Sequence, residues 1–143
     1  MRREGALSAE IELHVPFHDV DLAQVVWHGH YAKYLENARW ALMDRIGFGL
    51  EPMLASGFGW PVVELRVRYL RHSSFGDRLR VRASLIDWEN RLTINYLISR
   101  TQSGERVARA QTVQVAVEMA TGALQFVSPQ LLVDRVLAAL GNG

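Results

Sequence analysis

Residues 18–39 read HDVDLAQVVWHGHYAKYLENAR, and this stretch decides the fold. Its first part is polar, from His18 to Gly29, and reads as a loop. After it Tyr31, Tyr34, Leu35, Ala38, Leu42 and Ile46 recur at helical spacing, which predicts a helix of about four turns over Tyr31–Ile46. Gly47 and Gly49 are placed to end it.

Upstream, Glu10–Phe17 alternates, with Ile11, Leu13, Val15 and Phe17 on one face, and reads as a first strand. Downstream, Leu50–Gly59 reads as an irregular connection containing Pro52, Gly57 and Gly59. Strand patterns follow. Val63, Leu65, Val67 and Tyr69 alternate with charged residues, as do Leu79, Val81, Ala83 and Leu85. Leu92, Ile94, Tyr96 and Ile98 alternate with polar ones, and Val107–Glu118 is long and β-branched. Turns at Glu89-Asn90 and Ser103-Gly104 predict antiparallel hairpins, and one at Thr121-Gly122 allows a short last strand. Ser128 as N-cap and Pro129 as first helical residue predict a C-terminal amphipathic helix.

Strand, long helix, then about four antiparallel strands define an α+β architecture. Such a sheet has one face to bury, and the long helix is what can cover it. The remaining sheet edges predict a partner subunit.

The chain of 143 residues is 49% hydrophobic and 22% charged, a globular composition sized for one domain spanning 1–143. It has no cysteine, which excludes disulfides, a thiolate nucleophile and Cys-based metal centres. The longest apolar run, Val136–Leu140, is too short to span a bilayer. The N-terminal MRREGALSAEIE lacks the apolar region of a signal peptide, so a cytoplasmic protein is expected. A net charge of +1 gives no global pull toward nucleic acid. Ten arginines against four acids between Arg66 and Arg109 read mainly as solvated strand faces, with a local surface for a phosphorylated ligand as the second reading.

Asp19, Asp21, His28 and His30 converge on a helix N-terminus. There, unpaired N–H groups can polarise a carbonyl, and a carboxylate opposite can act as nucleophile or general base. These parts suffice for acyl transfer without serine or cysteine. By residue type alone, each aspartate equally suits an Asx-turn or a cap. His28-Gly29-His30 with the two aspartates also has the residue types of a metal site, but lacks a recognisable third ligand motif. Ser56 in LASGFG is not a nucleophile elbow.

Asp19, Asp21, Val25-Val26-Trp27-His28, Tyr31, Glu36 and Ala38-Arg39 form an ungapped pattern. It resembles the motif of hotdog-fold acyl-CoA thioesterases in the 4-hydroxybenzoyl-CoA thioesterase superfamily. LRVRYLRHSSFGDRLRV is similar to the strand, turn, Asp, strand segment of that family, with Asp77 as its acid. The resemblance implies a sheet of about five strands wrapped around the long helix, with two protomers paired edge to edge as a homodimer or homotetramer. It implies hydrolysis of an acyl-CoA or acyl-carrier-protein thioester, with no cofactor and no metal. It puts the catalytic carboxylate on Asp21 and the carbonyl-polarising N–H near His28 and Gly29. Substrate-binding residues would be Gln24, Trp27, Gly29 and Tyr31, and His28 would be the second catalytic residue through its backbone or its imidazole. Gln24 stands where the family usually has glycine, and His72-Ser73 where it often has Pro-Ala. Two further readings stay open: a hotdog dehydratase or hydratase acting on acyl-carrier-protein substrates, and a non-catalytic acyl-thioester binding protein.

Overall fold

The computed structural model describes residues 7–141. The arginine-bearing N-terminal residues 1–6 lie outside that range. Strand β1 spans Ser8–His14 and helix α1 spans Tyr31–Arg45. Between them are single 3-10 turns at Phe17–Asp19 and His28–His30. A short helix α2 (Leu50–Ser56) precedes β2 (Phe58–Gly59) and β3 (Val62–Tyr69). Then come β4 (Arg78–Asp87), β5 (Leu92–Arg100), β6 (Arg106–Gln114), β7 (Val117–Glu118) and helix α3 (Gln130–Gly141).

Five strands form one antiparallel sheet in the order β1-β4-β5-β6-β3, and β2 pairs with β7 in a small second sheet. The apolar face of α1 explains the arrangement. Tyr31, Tyr34, Leu35, Ala38, Leu42 and Ile46 are all buried, as their spacing predicted. They meet Leu79, Val81, Ala83 and Leu85 of β4 and Ile94, Tyr96 and Ile98 of β5 in one core. This is the α+β hotdog architecture, with one long helix wrapped by the sheet.

Helix α1 lies over β1 and β4, toward one side of the sheet. That position explains a departure from the alternating pattern. Val63, Leu65 and Tyr69 of β3 were expected to face the core, yet they are 58%, 46% and 48% exposed. Strand β3 is the far edge of the sheet, away from β1 and β4 where α1 packs, and α1 meets it through Tyr31 against Tyr69.

Other departures are local. Leu50–Ser56 is helical, not irregular. Most of its residues are helix formers, and Pro52 falls in the first turn, where no N–H is required. Gly57, at φ 80°, closes the helix. Phe17 leaves the strand and is exposed, because β1 stops at His14 and the chain turns. The long strand predicted over Val107–Glu118 breaks after Gln114, and Val117–Glu118 changes sheets to pair with Gly59 and Phe58. After the Thr121-Gly122 turn there is a single bridge, Val117 to Leu124, not a strand. Helix α3 begins at Gln130, where the Pro129 carbonyl accepts N–H bonds from Leu132 and Val133. No helix among the described residues is long and apolar enough to cross a membrane.

Candidate active site

The two aspartates of the loop, two residues apart, have opposite environments. Asp19 is fully buried. Its Oδ1 accepts a hydrogen bond from Lys33 Nζ at 2.8 Å, and Oδ2 accepts one from the Tyr34 hydroxyl at 2.6 Å. His30 Nδ1 lies 3.8 Å and His18 Nε2 3.6 Å from the same carboxylate. Burial pushes the Asp19 carboxyl up, but the bonds from Lys33 and Tyr34, with the charges of Lys33 and His30, outweigh it and hold it below its ordinary value. The Tyr34 phenol moves up, through burial and then through Asp19.

Asp21 is exposed. Its Oδ1 accepts the Ala23 N–H at 2.8 Å, a local Asx-type bond. Its Oδ2 has no partner among the described residues. Backbone bonds from Asp21 N–H to Val25 O (3.0 Å) and from Gln24 N–H to Asp21 O (2.9 Å) close the loop tightly. That closure puts Gln24 at φ 65°, the left-handed region. The position that family resemblance marks as glycine is thus one where the backbone itself favours glycine. Gln24 is exposed on the loop that carries Asp21.

The loop returns to the sheet through Val26 N–H to Ser73 O (2.7 Å) and Trp27 N–H to Asp19 O (3.1 Å). His28–His30 then forms the 3-10 turn that opens α1. No side chain caps α1 or this turn. The His30 N–H bonds to Trp27 O at 2.9 Å, while the N–H groups of His28 and Gly29 have no hydrogen-bond partner among the described residues. These are open donors at the positive end of a helix. The Tyr69 hydroxyl, from the edge strand β3, donates to His28 O at 3.1 Å and braces this turn.

Aromatic rings wall the same corner. Trp27 packs against His28 and His30 at centroid distances of 5.0 and 5.4 Å. Tyr31 stacks edge-on against Tyr34 and Tyr69 at 5.8 and 5.3 Å. Tyr31 and Tyr34 are buried, and Trp27 is 48% exposed. Gly29 is where the Trp27 ring comes down on the backbone, and a Cβ there would collide with that ring. Asp77 accepts the Ser74 N–H at 2.8 Å and pairs with Arg100 at 3.4 Å, holding the turn before β4. Glu36 and Arg39 form the expected ion pair, at 4.0 Å.

So Asp21, Gln24, Trp27, His28, Gly29 and Tyr31 come together at one loop and helix start, while the Asp19 clamp and the Tyr69 brace were not visible in the sequence. The signal available for the clamp was Lys33, the single lysine among 16 basic residues, one turn from the helix start. Among the described residues no group of three or more His, Cys, Asp or Glu is placed to hold a metal ion.

This fold is that of the hotdog thioesterases. Residues 15–139 match the thioesterase-like superfamily, and the chain belongs to that family. A 1,4-dihydroxy-2-naphthoyl-CoA hydrolase from Thermosynechococcus vestitus is 30% identical over 109 residues, covering 73% of each protein. The crystal structure of a 1,4-dihydroxy-2-naphthoyl-CoA thioesterase from Synechocystis superposes with a TM-score of 0.80 at 23% identity, covering 94% of this chain and 96% of that one. An aspartate-to-asparagine variant of 4-hydroxybenzoyl-CoA thioesterase, crystallised with 4-hydroxybenzoyl-CoA, gives 0.76 at 22% identity, covering 91% and 99%.

Proposed function

We propose that this protein hydrolyses an acyl-CoA thioester to the free acid and the thiol, with Asp21 as the reacting carboxylate. The reading rests on one observation. Of the two loop carboxylates, Asp19 is neutralised by Lys33 and bonded to Tyr34, whereas Asp21 is exposed and keeps Oδ2 free on the loop that leads into the start of α1.

The thioester carbonyl oxygen takes hydrogen bonds from the His28 and Gly29 N–H groups. Asp21 then removes a proton from water, and the hydroxide adds to the carbonyl carbon. The N–H groups hold the tetrahedral oxyanion. Collapse breaks the C–S bond, and the thiolate recovers the proton from Asp21. A direct attack by Asp21, with hydrolysis of the mixed anhydride, uses the same atoms. Gln24, Trp27, Gly29 and Tyr31 line the approach. The name of the 1,4-dihydroxy-2-naphthoyl-CoA relative supports a CoA ester over a carrier-protein ester.

The protein works as a homo-oligomer in which β3 edges meet. An exposed edge strand carrying Val63, Leu65 and Tyr69, the last braced to His28, supports a subunit boundary beside the site.

The test is thiol release from a panel of acyl-CoA esters, with Asp21→Asn run alongside. A loss of about 10²–10⁴-fold in the variant, at unchanged circular dichroism, is expected. Equal rates would remove Asp21 from the mechanism.

A further inference from the structure

The peptide group between His28 and Gly29 has a partner that helix geometry alone does not supply. It is the middle peptide of the turn Trp27–His30, closed by the His30 N–H on Trp27 O at 2.9 Å. Its carbonyl oxygen accepts the Tyr31 N–H, as the 3-10 turn requires. It also accepts the Tyr69 hydroxyl at 3.1 Å, from the last residue of β3 and 41 positions away in sequence.

Tyr69 is itself held on several sides. Its backbone pairs with Ala108 of β6, and the N–H groups of Leu70 and Arg71, just beyond it, both donate to Val107 O, at 2.8 and 3.1 Å. Its ring meets Tyr31 edge-on at 5.3 Å and His28 at 6.3 Å. The strand end and the two rings fix where the hydroxyl sits.

A peptide group is rigid, so fixing a carbonyl also fixes the N–H on its other side. With His28 O directed at Tyr69 and Tyr31, the Gly29 N–H points the opposite way, out of the helix start. A turn of this kind has a second form. In it the middle peptide is turned over and the third residue takes a positive φ, which glycine accepts without strain. Gly29 is that third residue, and its φ is not positive, so the structure holds the first form. In the second form His28 O would leave Tyr69, and the Gly29 N–H would swing away from its outward direction.

We propose that Tyr69 is a positioning residue for the thioester reaction, its hydroxyl latching the His28–Gly29 peptide in the form that presents the Gly29 N–H to the substrate carbonyl. The proposal deepens the thioesterase reading and rests on it for the reaction served. Tyr69 touches no reacting atom and acts through one peptide group. Its hydrogen bond also polarises that peptide, which makes the Gly29 N–H a stronger donor. The donor matters most when the carbonyl oxygen becomes an oxyanion, so the effect falls on kcat more than on KM.

The test is Tyr69→Phe, which keeps a ring against Tyr31 and His28 and removes only the hydroxyl. Variant and native protein are compared in two measurements. The first is the amide nuclear magnetic resonance spectrum of the free protein. The Gly29 resonance should move or broaden in the variant, while the amides of β4 and β5 stay in place. An unmoved and equally sharp Gly29 resonance overturns the latch whether or not any ester is hydrolysed. Displacement throughout the sheet also overturns it, since Tyr69 would then be a packing residue. The second is thiol release from the acyl-CoA ester that the native protein hydrolyses fastest. In the variant kcat should fall about threefold to tenfold, with KM within about twofold. Equal kcat in the two proteins, or a loss carried by KM, overturns the proposal and leaves the thioesterase reading intact. Thiol release from no ester by the native protein removes that reading, and the positioning role with it.

Discussion

The Tyr34 hydroxyl and the Asp19 carboxylate share a 2.6 Å hydrogen bond, buried, across fifteen positions of sequence. It joins the loop to the second turn-face of α1, and Lys33 completes the clamp with bonds of 2.8 and 3.0 Å to the same carboxylate. The loop that carries Asp21 is thereby fixed to the start of α1.

Asp19→Asn should therefore cost stability and not chemistry alone. Losing the charge leaves Lys33 and Tyr34 facing a neutral amide, and about 2–3 kcal/mol of unfolding free energy should go with it. The sign with pH follows from the direction of the shift. The folded carboxyl titrates below its unfolded value, so its contribution is complete above about pH 4 and is lost as pH falls through the lower folded value. Denaturant melts of native and Asp19→Asn proteins should converge in that acidic range and diverge above it. A constant gap across the whole range would contradict the clamp.

Gln24→Gly should stabilise the protein. A non-glycine residue in the left-handed region costs roughly 1–2 kcal/mol, and glycine's extra freedom in the unfolded chain takes back part of that gain. A net rise of about 0.5–1 kcal/mol, seen as a higher Tm, is expected. A lower Tm would mean the Gln24 side chain makes contacts that offset its backbone.

Gly29→Ala should displace Trp27. The new Cβ occupies the space of the indole ring, which is half exposed and can swing outward. Trp fluorescence should shift to the red, and thioester hydrolysis should fall at least tenfold as the N–H donors move. Unaltered emission and rate would show that the turn tolerates a side chain.

Leu65→Lys tests the subunit boundary. Leu65 is 46% exposed on the edge strand, so a lysine there disturbs little inside one chain. If β3 edges pair, light scattering should report a smaller assembly for the variant, with activity falling alongside. An unchanged mass would move the interface elsewhere on the fold.

Much of the fold was legible because it is periodic. The apolar positions from Tyr31 to Ile46 repeat as a helix must, and each of them is buried. Leu79 to Leu85 and Ile94 to Ile98 alternate as sheet residues covered on one face must, and they are buried too. Val63 and Leu65 follow the same rule and are exposed, because alternation records which face is apolar and not whether anything covers it. The Leu50–Ser56 helix was hidden by its proline, which reads as a breaker until its place in the first turn is known.

The site divides in the same way. That a carboxylate, a histidine and a helix start would lie together follows from local spacing, since residues 19–31 can hardly be far apart. Which aspartate is free does not. Asp19 and Asp21 are chemically identical and two positions apart, and only the packing of Lys33 and Tyr34 against one of them separates a buried, paired anion from an exposed carboxylate. The chain's own order of residues determined the helix, the strands and the cluster. Tertiary structure decided the paired and unpaired charges, at Asp19 and at Asp21, because a charge is neutralised by what folds against it and not by its neighbours in sequence.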